Sequence, residues 1–525
     1  MTNRLSRRSF LHYGAAAVTG TVVVGQVGAP HAAPLRATTA DFDLEELTVA
    51  QLQDAMRTGA RTSRSICAAY LARIAALDSK LHAVLETNPE TLAIADRLDA
   101  ERKAGKLRGP LHGIPVLVKD NIATGDRMMT TAGSLALAGS TPPRDAPLVA
   151  RLRAAGAVIL GKTNLSEWAN IRSNQSSSGW SARGGQCANP YALDRNPCGS
   201  SSGTGAAIAA SFATVGVGTE TDGSIVCPSS ACSLVGVKPT LGLIEGAGII
   251  PIAHSQDTAG PMARTVADAS ALLGALSGHD YSASLDPNGL RGVRIGVARK
   301  KFFDYSPEAD ALVEAAIGVL KGQGAVIVDP ADIPHAGEYD DSELIVLLYE
   351  LKADLATYLA QWAPTAPVKS LADVIAFNDA HKTSEMLYFG QELFLQAQGK
   401  GPLTDQAYRD ALAKDQRLSR TEGLDVVFAQ QNLDAIVAPT GSPPWPTDLV
   451  NGDHFLGASS TPAAVAGYPS VAVPVGYSFG LPVGMSFIGK ANSEATLLKL
   501  AYAYEQAAKP RRAPRFLPTA DLTSP

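Results

Sequence analysis

Asn196-Pro197-Cys198-Gly199-Ser200-Ser201-Ser202-Gly203-Thr204-Gly205 and Gly218-Thr219-Glu220-Thr221-Asp222-Gly223-Ser224-Ile225 are two serine-glycine loops separated by one apolar stretch. Residues 206–213 have the small apolar composition of a buried helix, and residues 214–218 read as a short buried strand. The chain then turns through residues 219–223, so Ser224 falls at a strand-to-helix junction. Peptide N–H groups at such a junction lack intrahelical acceptors and face any anion that forms there. Thr221, Asp222, Gly223 and Ser224 are the candidate backbone donors of an oxyanion hole.

Upstream stands a lone lysine, Leu117-Val118-Lys119-Asp120-Asn121, after the run Ile114-Pro115-Val116-Leu117-Val118 that reads as a buried strand. A serine hydroxyl is a poor nucleophile near neutral pH and needs a base within hydrogen-bond reach. A lysine with its ordinary pKa of about 10.4 is protonated and accepts nothing. Burial removes that obstacle, because taking an ammonium out of water disfavours its charged form. Taken singly, such a loop also reads as a connector, and such a lysine as a solvated strand end. Their combination points to nucleophilic catalysis. A second arrangement is present: Gly199 to Gly203 fits a G-x-S-x-G elbow with Ser201 as nucleophile, and His254, His279, His335, His381 and His454 are available partners. That elbow requires a strand directly before it, whereas residues 189–197 carry turn chemistry.

From these loops, and from Gly109-Pro110-Leu111-His112-Gly113-Ile114-Pro115, Gly161-Lys162-Thr163-Asn164, Gly236-Val237-Lys238-Pro239-Thr240 and Gly480-Leu481-Pro482-Val483-Gly484, the chain resembles the amidase signature hydrolases over residues 44–509. The resemblance implies a Ser-cisSer-Lys triad, with Ser224 as nucleophile, Ser200 as bridging serine after a cis Gly199-Ser200 peptide, and Lys119 as base. It implies hydrolysis of carboxylic amides through an acyl-enzyme. Two departures stand out: Ser202 replaces a usual glycine, and Glu220-Thr221-Asp222 stands where many members have Asp-x-Gly. The Asp222 side chain restricts the backbone of the oxyanion turn.

The implied fold is α/β, a central mixed sheet covered by helices on both faces. The residues agree: 157–160, 293–297, 325–328 and 434–439 read as strands, and Thr48 and Ser63 as N-caps of helices ending near Gly59 and Asp78. Residues 310–417 turn mostly helical and more polar, clearest at 344–359 and 370–377, and the resemblance makes this region line the substrate funnel. Residues 34–525 are expected to form one amidase domain, with neither a low-complexity linker nor a repeat.

Residues 1–33 read as a twin-arginine signal peptide: Ser6-Arg7-Arg8-Ser9-Phe10-Leu11, then an apolar stretch over 14–28 and small residues near Ala29 to Ala33. A periplasmic or secreted location follows. Removing them takes away Arg4, Arg7 and Arg8 and no acid, which carries the formal net charge from -5 to -8. A mildly acidic mature chain speaks against nucleic acid and anionic membrane as partners. The 5 cysteines show no CxxC spacing, and a twin-arginine substrate folds in a reducing compartment, so no disulfide is required; Cys198 and Cys227 beside the site also read as nucleophiles but, with no histidine nearby in sequence, are expected as small buried fillers. No HExxH or dinucleotide loop occurs, and neither metal nor cofactor is expected.

Within the family, 162–170 and 178–186 look most like bacterial peptide amidases, which remove a C-terminal amide from peptides. Trp168, Asn170, Arg172, Gly199 and Cys227 are the candidate substrate contacts, with Trp168 and Trp180 equally readable as core aromatics. Past the nucleophile stand Ile225, Val226 and Cys227, without the arginine that would bind a substrate carboxylate, so neutral acyl groups are favoured. A broad aryl or aliphatic amidase, a carbamate hydrolase, and a catalytically silent exported binding protein are the alternative readings. An export signal argues against an amidotransferase subunit.

Overall fold

Short runs rich in valine, isoleucine and leucine become strands of one sheet, because branched side chains suit a pleated surface packed on both faces. In the computed structural model, which describes residues 42–523, the first are Val84–Thr87 (β1), Pro115–Lys119 (β2) and Val158–Thr163 (β3). Trp180–Ser181 (β4) and Gly185–Gln186 (β5) pair apart from the rest. Then come Val215–Glu220 (β6), Val235–Lys238 (β7), Thr258–Ala263 (β8), Arg294–Val297 (β9) and Val326–Val328 (β10). Ala435–Pro439 (β11), Ser470–Ser478 (β12) and Leu481–Ile488 (β13) complete the set. The order across the 11-stranded sheet is β1-β3-β2-β6-β8-β7-β12-β13-β11-β9-β10. Helices cover it on both faces, the α/β architecture expected.

β2 runs parallel to both β3 and β6. All three are buried at every position, as strands under helices must be. Their parallel course brings Lys119, Thr163 and Thr219 to one edge, at the carboxyl ends of the strands, where α/β sheets place their sites. β8 is antiparallel to β6, with Glu220 opposite Thr258, which sets Asp257 beside the turn after β6.

The buried helix expected over 206–213 is Ser202–Ala209, starting inside the serine-glycine loop. It can start there because a Cβ on Gly203 would come within 2.4 Å of Ala83 O and 2.5 Å of Asn164 O. Glycine alone lets the helix lie against β3. Thr48 caps the helix Val49–Arg57 as expected. The next cap is Thr62, not Ser63: Thr62 and Ser65 exchange side-chain and backbone hydrogen bonds, and Ser63 becomes the first helical residue. Of two adjacent hydroxyl residues, the one with a hydroxyl three positions on wins the cap.

Residues 310–417 hold the strand β10 and the helices Asp340–Trp362, Leu371–Ala380, Glu392–Gln398 and Gln406–Gln416. The twin-arginine stretch lies outside the described residues. No helix among the described residues is long and apolar enough to cross a membrane.

Candidate active site

Lys119 ends β2 with no solvent exposure. Its Nζ lies 2.7 Å from Ser200 Oγ, 2.9 Å from Thr219 Oγ1 and 3.3 Å from Thr219 O. None of the three is a carboxylate. Burial pulls the Lys119 pKa from 10.5 down to about 7, against the opposing pull of the Asp257 and Glu220 charges. These partners suit a neutral amine, which donates two N–H groups to the Thr219 oxygens and keeps its lone pair for the Ser200 O–H. Asn121 Nδ2 donates to Thr219 Oγ1 at 2.9 Å and holds that hydroxyl as an acceptor.

Ser200 follows a cis peptide bond to Gly199. Its carbonyl accepts the Ser166 N–H at 3.0 Å, while Ser201 N–H donates to Ser224 O at 3.1 Å. The two serine loops are thereby tied backbone to backbone. Ser224 is 8% exposed and opens on a cavity of about 700 Å³. Among the described residues no hydrogen bond joins the Ser200 and Ser224 hydroxyls.

The turn carrying Ser224 is shaped by Glu220. Its buried carboxylate accepts the N–H groups of Ile225 at 2.7 Å and Val226 at 3.0 Å, capping the short helix Val226–Ala231. Gly223 takes φ 77, a left-handed conformation that side chains disfavour. The N–H groups of Asp222, Gly223 and Ser224 donate to no protein acceptor among the described residues. The Asp222 side chain turns instead to Thr461, whose Oγ1 donates to Asp222 Oδ2 at 2.6 Å. Thr221 Oγ1 donates to Asp257 Oδ1 at 2.5 Å, and Ile252 and Ala253 N–H groups hold the other Asp257 oxygen at 2.8 and 2.9 Å. Burial raises the Asp257 carboxyl to about 6.

Asn170, Gly199 and Cys227 line the cavity, together with Thr221 to Ser224. Arg172 and Trp168 do not reach it. Arg172 is fully buried, 3.2 Å from Glu167 and 4.3 Å above the Phe389 ring, and Trp168 packs edge-on against Phe394. The cysteine expectation is also corrected: Cys198 and Cys227 form a disulfide, with Cα atoms 5.9 Å apart. They are two ends of a covalent tie between the loop before Ser200 and the helix after Ser224, because the packing of that loop on the helix brings the two thiols together. Ser201, the alternative nucleophile, is buried and bonded to the Thr219 backbone on both sides, at 3.1 and 3.2 Å. Among the described residues no histidine lines the cavity.

Thr219, Asn121, Asp257 and the cavity walls Trp445, Asp453 and Thr461 were not legible as site residues. Two of them carry a sequence signal all the same: Thr219 opens the turn after a predicted strand, and Asn121 stands two residues past Lys119. Among the described residues one trio brings possible metal ligands together: His254, Glu350 and Asp354. His254 Nδ1 lies 2.8 Å from Asp354 Oδ2, and Glu350 already accepts from Ser255 N–H and Tyr408 O–H, so the trio reads as an ion pair away from Ser224.

A buried lysine touching a serine, with a second serine at a donor-rich turn of a mixed sheet, is an arrangement suited to nucleophilic catalysis. The chain belongs to the amidase family, whose model matches residues 65–498. It is 51% identical to the peptide amidase from Stenotrophomonas maltophilia, covering 90% of this chain and 99% of that one, with a TM-score of 0.87. An amidase family protein from Bacillus anthracis is 36% identical, with coverage of 90% and 92% and a TM-score of 0.81. An Arabidopsis thaliana protein described as a probable amidase is 41% identical over 91% of this chain and 93% of its own length. The protein is thus an amidase, a hydrolase of linear amide C–N bonds.

Proposed function

We propose that this amidase removes the amide group from C-terminally amidated peptides, with Ser224 as nucleophile, Ser200 as bridge and Lys119 as base. The observation that carries the mechanism is the buried contact of 2.7 Å between Lys119 Nζ and Ser200 Oγ. The likeness to a peptide amidase supports the substrate class.

Substrate binding turns the Ser224 hydroxyl toward Ser200, as catalytic hydrogen bonds tighten in the Michaelis complex. Ser224 Oγ attacks the carboxamide carbon as its proton passes to Ser200 Oγ and the Ser200 proton passes to Lys119 Nζ. The carbonyl oxygen gains the negative charge and meets the free N–H groups of the turn. Collapse breaks the C–N bond, the relay returns one proton to the departing nitrogen, and ammonia leaves. Water adds to the ester, gives its proton to the same relay, and releases the peptide acid with the Ser224 hydroxyl restored.

The helical region about 310–417, from which Leu347 reaches the cavity, serves in this reading as a substrate wall. The reading also includes export by residues 1–33. Replacing Arg7 and Arg8 with lysine is expected to retain the protein in the cytoplasm, and unchanged export would overturn that part. For the chemistry, ammonia release from peptide amides, simple amides, anilides and carbamates is the test. Peptide amides are expected to lead, and Ser224→Ala to abolish release with folding intact; anilide cleavage without peptide amide cleavage would favour the aryl amidase alternative.

A further inference from the structure

The loop over residues 448–458 has two sides. On the inner side Asn451, Asp453 and Phe455 line the catalytic cavity. On the outer side Leu456 is 60% exposed, beside a second cleft of about 410 Å³ walled by Pro443, Trp445, Pro446, Leu456 and Phe479. Trp445 belongs to both, and it packs edge-on against Phe455 with ring centroids 5.7 Å apart. Trp445, buried at 6% exposure, and Phe455, 50% exposed above it, thus form the ridge between the cavity that holds Ser224 and the cleft, with Phe455 as its exposed crest.

The ridge is anchored at its base. Asp453 accepts the Trp445 indole N–H at 3.1 Å, the Ser178 N–H at 3.0 Å and the Asn196 side-chain N–H at 3.2 Å. A cleft this size falls within the range of about 300–1,000 Å³ typical of small-ligand pockets, and its walls, mostly apolar with Ser306, Glu308, Ser442 and His454 completing them, are left open to water as a binding surface is.

We propose that this cleft is a subsite for an apolar side chain of the substrate, several residues before the amidated end, reached by a peptide that crosses the Trp445–Phe455 ridge. The proposal rests on the peptide amide reading above and narrows it to extended peptides with an apolar upstream residue. Its occupant is argued from continuity: one indole and two adjacent loop residues join the cleft to the catalytic cavity. A free end of an extended chain leaving Ser224 on this side meets the cleft next.

The test is a set of peptide amides with one common C-terminal dipeptide amide, carrying leucine, tryptophan or serine at the third, fourth or fifth residue from the end. At one of these positions the apolar residue is expected to raise kcat/KM about tenfold over serine, mainly through KM, the scale of burying most of one apolar side chain. Leu456→Asp is expected to bring that ratio close to one, and Val450→Asp, on the same loop but outside the cleft, to leave it unchanged. A flat ratio at all positions in the wild-type protein, with the peptides cleaved, overturns the subsite alone. Equal loss of the ratio in both variants overturns it in favour of general rim polarity. A change of molecular mass in solution with Leu456→Asp, without a change in the ratio, overturns it in favour of a second copy of the chain. No ammonia from any peptide while simple amides are cleaved overturns both this proposal and the reading beneath it.

Discussion

Burial brings the Lys119 pKa down into the neutral range, to about 7. With its pKa near 7, the neutral amine dominates only above that pH, so kcat/KM is expected to rise through about pH 7 and level off above it, measured with an uncharged substrate. The same shift has a stability consequence of definite sign. The unfolded lysine holds its proton up to about 10.5 and the folded one only to about 7, so between these values the unfolded state binds more protons and stability rises with pH. Denaturant midpoints across that window are expected to climb in the native protein, and to climb less in Lys119→Met, which has no proton to lose. A Lys119→Met profile as steep as the native one would remove Lys119 as the source. At this scale the sequence is most legible through the family resemblance: it pairs Lys119 with Ser200 across 81 residues, and the two side chains touch. Arg172 turns away from the cavity and Trp168 takes the core alternative of its two readings, because a polar or aromatic side chain beside a site motif does not reveal which way its backbone turns; here Trp168, Ala169 and Asn170 all take positive φ.

The serine turn is held by elements on either side of it. Glu220 caps the helix after Ser224 through two buried N–H groups and does not line the cavity, so it positions Ser224, the nucleophile of the proposed mechanism, from outside the binding space. Glu220→Gln keeps the size and loses the charge, and charge-assisted bonds of this kind are worth about 1.5–3 kcal/mol each. We expect kcat to fall about tenfold to a hundredfold with KM little changed and the Lys119 pH profile retained. A KM effect alone would place Glu220 in binding instead. The Cys198–Cys227 bond ties the other side, joining the loop of Ser200 to the same helix. Reduction by a dithiol, or the Cys198→Ala and Cys227→Ala pair, is expected to lower the melting temperature and slow turnover, and reduction alone to add two thiols to those counted by alkylation in the native protein. Bound inhibitor should slow the reduction, since both cysteines line the cavity. The strands and the strand-to-helix turn were readable because they depend on neighbours in sequence. The disulfide was not, since its halves are 29 residues apart and meet only through packing.

Across the whole molecule, charge and topology act together on what the cavity accepts. β2 and β6 deliver the lysine and the serine turn to one sheet edge, while the opposite wall comes from the segment 445–461, far along the chain and without any periodic pattern that marks it in sequence. That wall adds Asp453 to Asp222, and among the described residues no lysine, arginine or histidine lines the cavity. The full chain is also acidic, with a formal net charge of -5. A peptide bearing carboxylates near its amidated end therefore enters against the field, and one bearing arginine or lysine enters with it. The product acid carries a new carboxylate where the substrate had none, so the same field speeds its departure. We expect kcat/KM for an arginine-containing peptide amide to exceed that of its glutamate counterpart at low salt. The gap should narrow as ionic strength rises, because charges separated by more than about 8 Å are largely screened at physiological salt. Free glutamine, whose side-chain amide is accompanied by an α-carboxylate, should be cleaved far more slowly than a neutral amide of similar size. Equal rates for the arginine and glutamate peptides, unmoved by salt, would mean that substrate binding is decided by the neutral groups Asn170, Ser460 and Trp445 rather than by the two carboxylates.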